Sequence, residues 1–543
     1  MTLLYMIRHS ITARRLGLLL LCGFVGLAAW SACAQNITLV GEINPFTAVT
    51  MQYGDVWAEG DLACLGVYSP YTAGYGVGIF SITNPANPVL LGNYFPSPAA
   101  NNQFEAGVVR NKIGYFASNS GSGGLHIVSL TNPAAPAFLS RITGNVTGTV
   151  TNGFNAVHTL FLDQTYLYLA DSRTRTVKVF NVADPAAPVF LRNIVTSDST
   201  FIHQVTVISN RLYTSGWGGH TDIYDVSNIG AQAPPLLGIV NSGGQSHTSW
   251  PTEDGRYLVS ARESATDGDV RIFDISTPST AVLVAQLTPG GAGIEKAIPH
   301  IPAIVGNLLY VAWYQAGLQV FNISDPAMPI RVGSYDTIPT ATQTYQGNWG
   351  VWPFLGINKI LLSDMQRGLL IVDASGVAGV TNPIPIVTSQ PHDQSVSPGS
   401  NATFTVNVLG AVPMVFQWRF NDGNISGATN ATFIRTNAQL SDAGSYSVFV
   451  TNIAGTVLSS NASLSIILPR PMIQSIAITG TNSVRITWSA VSNATYQLQY
   501  NENLALSNWS NLGGPVTASG STASATDNVE GVQRRFYRVA VPP

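Results

Sequence analysis

VFNISDPAMPIRVG (320–333) decides the fold. An apolar strand runs into Asp-Pro-Ala-Met-Pro, and a second apolar strand leaves it. Proline cannot donate to a ladder, so the Pro-bounded stretch is a turn between two strands. The unit recurs as IFSITNPANPVLLG (79–92), IVSLTNPAAPAFLS (127–140) and VFNVADPAAPVFLR (179–192). Weaker copies are IYDVSNIGAQAPPLLG (223–238) and IFDISTPSTAVLVA (272–285), and LLIVDAS (369–375) is a half-copy without its closing strand. A further apolar strand precedes each copy, as in YLYLAD (166–171) and LYVAW (309–313). Aligning these strands superposes Tyr115, Tyr168, Tyr213, Tyr257 and Tyr310, with Ala63 and roughly Ile360 at the two ends. Seven copies of four short strands, repeating every 44–53 residues or so, predict an all-β chain headed by a seven-bladed β-propeller. The missing closing strand of copy seven is expected from residues 36–43, whose Thr38-Leu39-Val40-Gly41 resembles Val89-Leu90-Leu91-Gly92. Such an overlap removes two free sheet edges.

Composition agrees. The 543 residues are 45% hydrophobic and 10% charged, with 51 Gly and 31 Pro, which disfavours both disorder and long helices. With 25 Lys+Arg against 28 Asp+Glu, no nucleic-acid partner is expected. Residues 1–34 read as a signal peptide. Arg8, Arg14 and Arg15 precede a short apolar run from Leu16 to Ala29, and Ala32-Cys33-Ala34 supplies small residues for cleavage. The run is too short to span a membrane. A twin-arginine signal at Arg14-Arg15 and lipidation at Cys33 are the alternatives to ordinary cleavage. The expected location is therefore extracytoplasmic: secreted, periplasmic or cell-surface. Cleavage leaves Cys64 alone in the mature chain, so no intramolecular disulfide forms, and its apolar neighbours predict a buried thiol.

The strand-turn unit resembles LVIVD-repeat proteins, surface or secreted bacterial and archaeal chains predicted to be propellers; Leu369-Leu370-Ile371-Val372-Asp373 nearly spells the name. The resemblance covers about residues 36–375 and implies an extracytoplasmic location but no established reaction or cofactor. Residues 376–385 read as a linker. Residues 386–467 resemble a bacterial I-set immunoglobulin domain through Gln417-Trp418 and Asp442-Ala443-Gly444-Ser445-Tyr446. That resemblance implies a core role for Trp418 and a corner role for Tyr446, with Val406 and Val448 standing where a disulfide would be. Residues 468–543 resemble a fibronectin type III sandwich, with alternation in Val484-Arg485-Ile486-Thr487-Trp488 and Tyr496-Gln497-Leu498-Gln499-Tyr500.

Standard catalytic signatures are absent: no HExxH, Walker loop, dinucleotide fingerprint or G-x-S-x-G elbow. Gly121-Ser122-Gly123-Gly124 and Asp267-Gly268-Asp269 read as turns. Histidine carries the signal. His158, His203, His247 and His300 each lie ten residues before an aligned tyrosine, at the opening of a blade's innermost strand. The same offset gives Glu105 in blade two and Tyr53 in blade one, with Trp349 or Gly350 in blade seven. These side chains should converge at one mouth of the channel, joined by residues ending the second strands: Asp171, Trp217, Glu263, Trp313 and Asp364. His126, His220 and His392 fall outside the register and are expected at the surface or in turns. Two readings compete. Either the histidines are architecture, bonding the backbones of neighbouring blades, or Glu105, His158, His203, His247 and His300 make a polar pocket for an anionic ligand or a transition metal. The objection to a metal is the distance across a seven-fold ring, which adjacent blades could circumvent; no cofactor is the default. Trp217 and Trp313 are candidates to stack on a sugar or other flat ligand. The preferred function is a non-enzymatic secreted or surface binding and adhesion protein with a protein or carbohydrate ligand. The alternative is a metal-dependent extracytoplasmic enzyme at the same mouth.

Overall fold

The computed structural model describes residues 36–46, 52–69, 76–96, 103–119, 123–143, 156–294, 298–339 and 345–542. The expected signal peptide lies outside them, as do Gly121 and Ser122. Seven four-stranded antiparallel sheets follow one another along the chain. The first strand of each, from Gln52–Glu59 in blade one to Asn348–Trp352 in blade seven, packs against the first strands of both neighbouring blades, and the seventh meets the first. This is the expected seven-bladed propeller. Thr38–Ile43 pairs with Gly368–Asp373 as the outer strand of blade seven, so the ring is closed by the chain's own beginning.

The repeat's local chemistry explains its regularity. In each turn the Asn or Asp side chain accepts the N–H two residues on: Asn84 from Ala86, Asn132 from Ala134, Asp184 from Ala186 and Asp325 from Ala327. Proline between them presets the turn's φ. The turn then abuts the outer strand of the preceding blade. A Cβ on Gly92 would stand 2.3 Å from the Pro133 carbonyl oxygen, and one on Gly41 2.3 Å from that of Pro85. Glycine is required there by close approach.

Pairing fixes the true repeat register. The third-strand residues Ile79, Ile127, Val179, Ile223, Ile272, Val320 and Ile371 face Cys64, Tyr115, Tyr168, Tyr213, Val259, Tyr310 and Leu361. Four of the aligned tyrosines therefore hold. Ala63 and Ile360 are one residue out, and Tyr257 is displaced by two because the first hairpin of blade five, through Glu253-Asp254-Gly255, is longer. Cys64 is buried, as expected, and burial pushes its thiol up.

Two β-sandwiches follow. In the immunoglobulin-like one, Trp418 is fully buried and donates Nε1–H to the Asn430 carbonyl at 2.9 Å. Phe404 stacks on Tyr446, whose hydroxyl donates to the Asp442 carbonyl at 2.9 Å, the expected corner. Val406 and Val448 are buried in the places of a cysteine pair. In the last sandwich, Ile473–Gly480, Ser483–Ser489 and Thr522–Asn528 form one sheet. Thr495–Asn501 pairs with Phe536–Ala540 in the other, and Trp488, Tyr496 and Leu498 fill the core. No helix among the described residues is long and apolar enough to cross a membrane.

Candidate functional site

The inner strands of blades one to four and seven open on a register shift, and the residue at that shift is thrown into the channel mouth. The irregularities fall between Phe104 and Ala106, Val157 and Leu160, Ile202 and Gln204, and Asn348 and Gly350. They release Glu105, His158, His203 and Trp349. Bulges re-aim side chains in this way. His247 and His300 occupy the same place: their N–H groups donate to Ala261 and Ala312, the residues equivalent to Ser215 in blade four. The position thus reads Gly54, Glu105, His158, His203, His247, His300, Trp349 around the ring.

Blade one corrects the sequence reading. Tyr53 pairs with Val67 and is fully buried, its hydroxyl donating to Asn44 at 2.6 Å. Gly54 takes the ring position, and a Cβ there would lie 2.8 Å from the Glu105 carbonyl oxygen. Blade seven supplies Trp349; a Cβ on Gly350 would meet Asp55 instead.

The second strands contribute a further ring, four residues beyond each register residue: Tyr68, Asn119, Ser172, Trp217, Glu263, Tyr314 and Met365. Trp217 and Glu263 are there as expected. Asp171, Trp313 and Asp364 are not: they sit one residue too early and point into the blades. Asp171 faces Lys178 at 3.8 Å, Trp313 is fully buried beside Phe321, and Asp364 accepts the N–H groups of Gln366 and Arg367. Tyr314, missed in the sequence, is the side chain that reaches the mouth. Together with Gln52, Arg173, Phe201 and Tyr345, the two rings enclose a cavity of about 610 Å³.

Four imidazoles line one arc in face contact. Ring centroids are 3.8 Å apart for His158–His203, 3.7 Å for His203–His247 and 4.4 Å for His247–His300, and His300 meets Trp349 edge-on at 4.6 Å. Carboxylates bracket them. Glu105 Oε2 is 3.4 Å from His158 Nε2, and Glu263 Oε2 is 3.2 Å from His247 Nε2. Tyr314 donates to Glu263 Oε1 at 2.9 Å and Gln103 to Glu105 Oε1 at 2.9 Å. Burial disfavours charge on every member. It pushes Glu105 up to about 8 and Glu263 up to about 7, and holds His158 down to about 4 and His300 down to about 3. His203 and His247 are held well below the usual imidazole range, by burial first and by their histidine neighbours second. Near neutral pH the arc is thus a row of uncharged imidazoles.

The remaining histidines divide. His126 departs from the surface expectation: it is buried on the third strand of blade two, 3.0 Å from the Tyr94 hydroxyl and edge-on to Phe104. His220 opens the third strand of blade four, half-buried, and His392 lies in a loop.

Two family models match parts of the chain. The LVIVD repeat model matches residues 303–337, and the immunoglobulin domain model matches 384–452. Among solved structures, a protein from Lactobacillus plantarum is 16% identical over 51% of this chain and 83% of its own, with a TM-score of 0.42. One from Desulfotomaculum acetoxidans is 14% identical over 55% and 89%, TM-score 0.40. The M4 domain of titin is 21% identical over 16% of this chain and 100% of its own, TM-score 0.15. No curated protein matches.

Proposed function

We propose that this chain, an LVIVD-repeat propeller with C-terminal immunoglobulin-like domains, is an exported binding and adhesion protein whose propeller mouth takes a small polar ligand, such as the end of a surface glycan. The observation that carries this reading is the wall of the cavity. Phe201, Trp217, Tyr314, Tyr345 and Trp349 offer flat apolar faces, interleaved with Asn119, Ser172, Arg173, Glu105 and Glu263. Apolar walls with a few convergent polar groups are the usual composition of a small-molecule site, and aromatic faces suit sugar rings. Phe201 and Trp217 stack on each other at 5.6 Å and 16°, and Trp217 lies over His203 at 5.3 Å. Trp217 is thereby held as a platform. The sandwiches would act as spacers or adhesive units, and export rests on the signal-like residues 1–34.

Glycan-array binding by residues 35–543, followed by calorimetry on any hit, tests this. Trp217→Ala should weaken a genuine ligand by tenfold or so, roughly 1.4 kcal/mol, the scale of one lost stacking face. Binding unaffected by Trp217→Ala and by Tyr314→Ala would move the ligand site away from the mouth. A metal-dependent enzyme at the same mouth is the second reading, favoured by the spacing of His203, His247 and Glu263.

A further inference from the structure

One edge of the cavity is built from donors whose outer atoms are already held. His300 Nδ1 lies 2.6 Å from the Trp349 carbonyl oxygen. A carbonyl only accepts, so Nδ1 carries the hydrogen and the neutral ring keeps its lone pair on Nε2. That lone pair stands 4.0 Å from Glu263 Oε1. At His247, Nδ1 is 2.7 Å from the Thr248 hydroxyl, which can give or take the hydrogen, and Nε2 is 3.2 Å from Glu263 Oε2. Glu263 is itself oriented by the Tyr314 hydroxyl. Beside them, His203 is buried, its ring tilted 43° against that of His247 at 3.7 Å, and its Nδ1 falls outside strict hydrogen-bond geometry. The His300 lone pair and the Glu263 carboxylate repel unless something positive sits between them.

The spacing suits an ion. His203, His247 and Glu263 each offer one ligand atom, all within 4.8 Å of one another. Donors bound to one ion at about 2.1 Å stand roughly 3.0–3.4 Å apart, which the His247–Glu263 edge already meets. Ligating histidines characteristically give their other nitrogen to a carbonyl or hydroxyl, which fixes ring and tautomer. We propose that His203, His247 and Glu263 bind one divalent first-row transition ion, with its remaining positions open to the cavity. Two imidazoles and one carboxylate favour zinc, iron or nickel over magnesium or calcium, which take oxygen ligands. The distance objection across a seven-fold ring does not arise, because the ligands come from the adjacent blades four and five. This site deepens the metal reading of the same mouth and is tested without any glycan.

The test uses residues 35–543 without an affinity tag, stripped with EDTA and dialysed against Zn²⁺ or Co²⁺. Wild type should retain about one equivalent by elemental analysis, and Co²⁺ should produce visible d–d bands of mixed nitrogen and oxygen ligation. Glu263→Gln and His247→Gln should each lose ten- to a hundredfold or so in affinity, while His392→Gln keeps the full equivalent. Zn²⁺ should raise the melting temperature of wild type and leave that of Glu263→Gln unmoved, so the Glu263→Gln protein decides the matter even if a histidine variant fails to fold. Retention of less than about a tenth of an equivalent by wild type would overturn the proposal and leave a proton shared by Glu263 and His247 as the bridge. Unchanged binding in Glu263→Gln would overturn it equally.

Discussion

Blades three to six and blades seven and one fill one structural position in opposite ways. In the first arc the residue at the start of the inner strand is always histidine; in the second it is Trp349 and then Gly54. Blade two, with Glu105, lies between the arcs. The strand and ladder that follow are alike in all seven. The fold therefore accepts an indole, a carboxyl or no side chain at this place, so the blade does not demand imidazole. The architectural reading is best supported at His300, which bonds the Trp349 carbonyl of the neighbouring blade. It is weaker at His158 and His203, whose Nδ1 atoms are buried outside strict hydrogen-bond geometry, although the His247 backbone of the next blade still favours the charged form of His203. The two arcs thus separate what the propeller needs from what its mouth presents.

The largest effect that would sharpen this contrast belongs to Glu105. Its folded-state value, raised to about 8, exceeds the ordinary 4.5 of an unfolded glutamate, so the folded protein keeps a proton that the unfolded chain releases. Stability from this group is complete at low pH and falls as pH rises from about 4.5 to about 8, by on the order of 5 kcal/mol in all. Glu263 and Asp55, both raised to about 7, act in the same direction but finish earlier. The depressed histidines act oppositely, adding stability up to about pH 6.5, and are neutral in both states above that. The difference between wild type and Glu105→Gln across pH 7 to 8.5 therefore isolates Glu105. Calorimetric melting should show wild type losing more stability across this interval than Glu105→Gln does. Parallel curves would mean that Glu105 is ionised in the folded protein and that the arc is charged.

Filling the gap in the ring comes next. A Cβ on Gly54 would lie 2.8 Å from the Glu105 carbonyl oxygen and 3.0 Å from its Cα, and backbone cannot step aside as a side-chain end can. Gly54→Val should cost about 3 kcal/mol, the upper range for overpacking a tight site. Thermal unfolding reads it directly. A cost below about 0.5 kcal/mol would show that blade one can carry a side chain here, leaving the gap without a packing cause.

Much of this was legible in the chain. The Asn/Asp-Pro-Ala-x-Pro turns punctuate the repeat because the side-chain cap and the fixed proline φ are local chemistry. Closure by Thr38–Ile43 followed from a missing strand. The four histidines and Glu105 were found because the distance from ring to register residue is constant in blades two, three, four and six. His247 was found partly by coincidence: a tyrosine happened to stand ten residues on, whereas the true register residue is Val259. The rest depended on bulges, which leave no mark in residue type. A shift of one residue turns a strand's side chain to its other face, so Tyr53 replaced Gly54, and Trp313 replaced Tyr314 as the expected wall. His126 was misplaced for a related reason, since a lone histidine outside the repeat register gives no sign that Tyr94 will meet it.

The smallest effect is the most discriminating, because it applies one substitution to two members of the same arc. His300→Phe keeps a flat ring against Trp349 but leaves the Trp349 carbonyl without its donor, and should cost about 2 kcal/mol. His203→Phe keeps a flat ring tilted between His158 and His247 and gives up only a loose contact with the His247 backbone. It should cost less than about 1 kcal/mol, because replacing a poorly satisfied buried polar atom by an apolar one removes a desolvation penalty. Melting temperatures measured together in a metal-free buffer compare the two without contribution from a bound ion. Equal costs would mean that His203 is as structural as His300, and the division between the arcs would fail. A cheap His203 would mean that folding does not depend on this buried imidazole, and its purpose must then lie with what enters the mouth.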